Sequence, residues 1–109
     1  MRIQLWPVTC ALVTLALWQS ACAPPLPPLP NVDLATSQPS VRQVIESAMS
    51  VARAKPDDAL AVARFGMALH AHHQLAAATR AYERAALLDP QQPDYLDYWA
   101  GATSERSSF

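Results

Sequence analysis

With 109 residues and a formal charge of −1, the chain has room for one small domain and carries no electrostatic footprint for nucleic acid. Much of its 51% hydrophobic content lies in the first 18 residues, and 10 prolines stand against only 2 glycines. Gly66 and Gly101 are too few and too far apart for a glycine-rich phosphate loop, and no serine sits in a nucleophile elbow, so composition and motifs point away from an enzyme and imply no cofactor.

Residues 1–21 read as a removable export signal. Arg2 supplies the basic start, Leu5–Trp18 is almost wholly apolar, and small residues follow at Ser20, Ala21, Cys22 and Ala23. The apolar run is shorter than the ~20 residues a membrane-spanning helix needs. Cleavage after Ala23 would place Pro24 just beyond the scissile bond, where a locked ring without an N–H is generally refused. Cleavage before Cys22 remains. Gln19-Ser20-Ala21-Cys22 resembles the lipobox of bacterial lipoproteins, with Gln19 where that family usually has an aliphatic residue. Cys10 leaves with the signal, so Cys22 is the only thiol of the mature chain and no internal disulfide can form. The resemblance implies lipid attachment at Cys22 and, because Ala23 is not an aspartate, anchoring in the outer membrane facing the periplasm.

Residues 22–39 form the next unit, the anchor cysteine followed by a proline-rich linker. Pro24-Pro25-Leu26-Pro27-Pro28-Leu29-Pro30 favours the extended polyproline conformation. At ~3.1 Å per residue, Ala23–Pro39 is expected to act as a spacer on the order of 50 Å long.

From Ser40 the hydrophobic period changes to 3.6, and residues 40–103 are expected to form an all-α domain of three to four helices. Val41, Val44, Ile45, Ala48, Met49 and Ala52 share one face of the first helix. Ser40 with Gln43 offers a capping box at its start, and Pro56 stops it near Lys55. Asp57 or Asp58 can cap a second helix, whose buried stripe is Val62, Phe65, Gly66 and Leu69. His72-His73-Gln74 marks a tight turn. A third helix presents Leu75, Ala78, Tyr82, Ala85 and Leu88 and ends before Asp89-Pro90. A short fourth helix begins near Pro93-Asp94 and is expected to bury Leu96 and Trp99, leaving residues 104–109 as a flexible tail.

Val62-x2-Phe65-Gly66-x2-Leu69, then Ala78-x3-Tyr82, Ala85 and Pro90 resemble the tetratricopeptide repeat, and Pro56 precedes Pro90 by one repeat length, 34 residues. Val62 and Leu69 replace the usual aromatics. The resemblance implies antiparallel helical hairpins: one whole repeat flanked by two halves. It assigns structural roles to Gly66, Ala78, Tyr82, Ala85 and Pro90. It also implies a partner-binding groove, whose lining matches Arg64, Met67 and His70 with Asp94 and Asp97 from the next helix. Repeat arrays usually need three or more repeats, so self-association or docking on a protein partner in the envelope is expected. The expected function is a membrane-anchored interaction module, an accessory factor in an envelope machine such as a pilus or secretion system. The alternative is a periplasmic metal or small-ligand binder using His70, His72 and His73. Against it, no Cys or convergent carboxylate lies near them in sequence, and zinc asks for three or four converging donors.

Overall fold

A computed structural model describes residues 25–108, and these residues contain four helices and no strand. The expected export signal, Cys22 and Phe109 lie outside the described residues. The helices are α1 (Pro39–Ala54), α2 (Ala59–Ala71), α3 (Leu75–Leu88) and α4 (Pro93–Ser107), and each packs on its neighbour in the chain. The all-α class read from the sequence is therefore present.

Local chemistry explains most of the boundaries. Asp58 caps α2, its carboxylate accepting from the backbone N–H groups of Leu60 at 3.0 Å and Ala61 at 3.2 Å. The end of α2 is a Schellman turn: Gln74 N–H reaches the Leu69 carbonyl and His73 N–H the His70 carbonyl. His73 takes the left-handed position with φ 60°, where glycine is usual. This confirms the tight turn at His72-His73-Gln74. α3 ends at Leu88, with Asp89 as its cap just before Pro90.

Two ends differ from the sequence expectation. Ser40 is not the cap of α1; the helix starts at Pro39 after Gln38, with no capping side chain. Proline suits that first position because its φ is preset and its missing N–H would have had no helical partner. α4 is not short either. It continues through Ser104–Ser107, where a tail is expected, and hydroxyls of Thr103, Ser107 and Ser108 bond carbonyls one turn back.

The core contains Ile45 and Ala52 from α1, Val62, Phe65 and Leu69 from α2, Ala78, Tyr82 and Ala85 from α3, and Tyr95 and Ala102 from α4. The predicted stripe of α2 is thus buried, as is that of α3 except for Leu88, which is partly buried. Val44 and Leu96 are not: they are 51% and 48% exposed, because the main contacts of α1 are with α2 and those of α4 with α3, and other faces meet those neighbours. α4 turns Tyr95 and Ala102 inward, while Trp99 is half-buried.

The proline-rich segment is no free spacer over its whole length. From Pro27 to Leu34 it lies against the helices. Arg84 donates to the carbonyls of Pro27 at 2.8 Å and Pro56 at 2.9 Å and pairs with Asp57 at 3.2 Å. Arg53 donates to the side-chain carbonyl of Asn31, and Arg42 to the carbonyls of Leu34, Ala35 and Ser37. Leu34 is buried in the core, and Leu29 and Val32 pack on it. The free spacer is therefore shorter than the linker composition implies.

Candidate partner-binding face

Arg64, Met67 and His70 recur every three residues and share one stripe of α2. Arg64 and Met67 are exposed, and His70 is half-buried. The structure ties His70 to two other helices. Its Nδ1 lies 3.3 Å from the Tyr82 hydroxyl on α3, and its Nε2 lies 3.1 Å from the Glu105 carboxylate on α4. With the imidazole neutral, Nδ1 accepts from the tyrosine O–H and Nε2–H donates to Glu105. The His70 ring also meets Tyr82 edge-on, with centroids 5.9 Å apart, and Tyr82 lies 5.7 Å from the ring of Tyr98.

Burial pushes the Tyr82 hydroxyl up to about 12, with smaller contributions from Tyr98 and Glu105. Tyrosine, histidine and glutamate in series have the order of a nucleophile, a base and its orienting group. Here the would-be nucleophile is 1% exposed and hard to ionise, so no substrate reaches it. The arrangement acts as a clamp joining α2, α3 and α4.

His70 and Glu105 sit near the ends of α2 and α4. At their starts, the Asp58 carboxylate helps raise the Tyr95 hydroxyl, after the larger contributions of burial and Asp89. α2 and α4 both pack on α3, and the His70–Glu105 contact brings their last turns together. Asp94 and Asp97 stand exposed in the first turns of α4, toward the opposite end from Glu105. Asp94 accepts from the Gln92 amide, and neither carboxylate pairs with Arg64 among the described residues. The five residues expected to line a groove therefore form two stripes, with His70 tied to the far end of α4 through Glu105.

The histidines do not converge. Both ring nitrogens of His70 are engaged, and His73 sits in the turn, in a shallow hollow shared with Arg106, whose charge opposes a cation. Among the described residues no three His, Cys, Asp or Glu side chains come together as a metal site would require.

Glu105 carries this geometry and was not singled out as a site residue by sequence. The 34-residue offset contained the missing signal for Glu105, since it places that residue beside Ala71, at the end of α2. No protein-family model, curated protein or solved structure matches the chain. The functional reading accordingly comes from these residues.

Proposed function

We propose that the chain is a lipid-anchored, tetratricopeptide-like interaction module that holds a protein partner on the shared face of α2 and α4. The observation that carries this reading is the His70–Glu105 contact of 3.1 Å between helices whose first residues, Ala59 and Pro93, are one repeat length apart. The last residues of α1 and α3, Ala54 and Leu88, have the same 34-residue offset. Alternate helices then occupy equivalent places, and α2 and α4 line one face.

That face combines an exposed cation, Arg64, a flexible thioether, Met67, and two exposed carboxylates, Asp94 and Asp97. Mixed charge beside an adaptable apolar side chain suits a peptide or protein surface better than a small anion or metal. The export signal and Cys22 support placement in a bacterial envelope, on the periplasmic side of the outer membrane, where an accessory role in a pilus or secretion machine fits a small anchored module. In pull-downs from the envelope fraction, Arg64→Ala is expected to reduce partner recovery about fivefold or more, the weight of an interface hot spot. Full recovery by this variant would refute the assignment of Arg64 to the face. The anchor has its own test: mass spectrometry of the mature N-terminus is expected to find acylated Cys22, and an unmodified Cys22 or a different first residue would refute it.

A further inference from the structure

The 34-residue offset also relates the two outer faces of the bundle to its inner one. α2 buries Val62, Phe65, Gly66 and Leu69. Shifted by one repeat length, these positions become Leu96, Trp99, Ala100 and Thr103 of α4, which line a shallow hollow together with Thr79 and Glu83 of α3. α3 buries Ala78, Tyr82 and Ala85. Shifted back by the same length, they become Val44, Ala48 and Val51 of α1. Val44 and Val51 are 51% and 50% exposed, although their counterparts Ala78 and Ala85 are fully buried.

One end of the module therefore presents the α2-type half of a hairpin without its mate. The other end presents the α3-type half, also without its mate. We propose that a second copy of this chain supplies the mate: α1 of one copy seats on the exposed face of α4 of the next, as α3 seats on α2 within the chain. Side-chain sizes are redistributed rather than lost. The close Gly66–Tyr82 pair is replaced by Ala100 facing Ala48, and the bulk moves to Trp99, larger than Phe65.

Charge fits the same antiparallel register. Asp94 in the first turn of α4 comes opposite Arg53 and Lys55, at the end of α1 of the incoming copy. The proline-rich segment does not block the seat, since it leaves Val44 and Val51 half exposed. Each copy carries one face of each kind, so the contact is head-to-tail and repeats from one copy to the next.

The inference rests on the repeat arrangement and shares only Asp94 with the partner face; it does not rest on Arg64 or Met67. Two tagged full-length copies, one carrying Leu96→Cys and the other Val51→Cys, are co-expressed and treated with a short bifunctional thiol reagent. A cross-tag dimer is expected at about fivefold or more above the yield from two unsubstituted chains. Adding Val44→Glu to the Val51→Cys copy is expected to return the yield to that background while leaving the helical circular dichroism unchanged. Met67→Ala is expected to leave the dimer intact, which separates this contact from partner binding. Absence of an excess cross-tag dimer, or equal dimer between two Leu96→Cys copies, would overturn the stacking.

Discussion

Gly66→Ala is expected to destabilise the helical module by about 1–3 kcal/mol, the usual cost of overpacking. Gly101→Ala is expected to stabilise it by about 0.5–1 kcal/mol, because alanine is the better helix former. Both glycines lie inside helices, so propensity alone assigns them the same sign. Packing separates them. A Cβ at Gly66 would lie 2.8 Å from Cδ1 and Cε1 of Tyr82, whereas one at Gly101 meets nothing within 4 Å. The Tyr82 ring has little room to retreat: it is 1% exposed, its hydroxyl is bonded to His70, and its face is covered by Tyr98. α2 and α3 must therefore separate, and that cost exceeds the propensity gain. Thermal unfolding reads the difference, at about 4–8 °C per kcal/mol for a domain of this size. A rise in Tm for both variants would show that α2 and α3 are not in close contact at Gly66.

Raising the pH from 10 to 12 is expected to remove about 2–3 kcal/mol of stability through Tyr82 alone, at 1.36 kcal/mol per pH unit between the two pKa values. The Tyr82 hydroxyl is held at about 12 in the folded protein against an ordinary value of 10. Below pH 10 it is protonated in both states and its contribution is fully present. Between 10 and 12 the unfolded chain releases the proton while the folded one keeps it, so unfolding is favoured progressively. Above 12 both states are ionised and the loss is complete. Burial and nearby carboxylates also raise Tyr95, which adds a loss of the same sign. Tyr82→Phe is expected to cost about 1 kcal/mol at neutral pH by breaking the bond to His70, and to remove most of the alkaline slope. Urea unfolding at pH 8, 10 and 11.5 checks both. Equal slopes for the variant and the unsubstituted protein would refute the assignment to Tyr82.

The helical hairpin at the centre was legible in the sequence for a physical reason. In α2 and α3, each apolar stripe has a single period and a definite stop: Asp58 before α2, the histidine turn between the helices, and Pro90 after α3. Position by position, Val62, Phe65, Gly66 and Leu69 could hardly face elsewhere. α4 lacked that clarity because Tyr95, Leu96, Tyr98 and Trp99 are apolar or aromatic nearly all round the helix, so periodicity did not choose Tyr95 over Leu96. Its last turn was missed because Ser104-Glu105-Arg106-Ser107 offers no apolar residue; hydroxyl-to-carbonyl bonds and the Glu105–His70 contact hold it instead.

The docked proline-rich segment was hidden for a different reason. Proline content fixes the local conformation and leaves the backbone carbonyls without partners of their own. Which donors meet those carbonyls depends on Arg84, 57 residues beyond Pro27, and on Arg53 and Arg42 of α1. No local pattern encodes such a separation. In the candidate face the same limit applied: spacing found the stripe of Arg64, Met67 and His70, while the clamp from His70 to Tyr82 and Glu105 needed three helices in place.

The most direct test of the proposed face compares Met67→Ala with Leu87→Ala in pull-downs from the envelope fraction. Both side chains are exposed, 37% on α2 and 41% on α3, so neither substitution disturbs the core. Met67→Ala is expected to lower partner recovery about fivefold or more, while Leu87→Ala leaves it unchanged. Equal recovery from the two variants, whether both retained or both lost, would contradict a partner-binding face on α2 and α4.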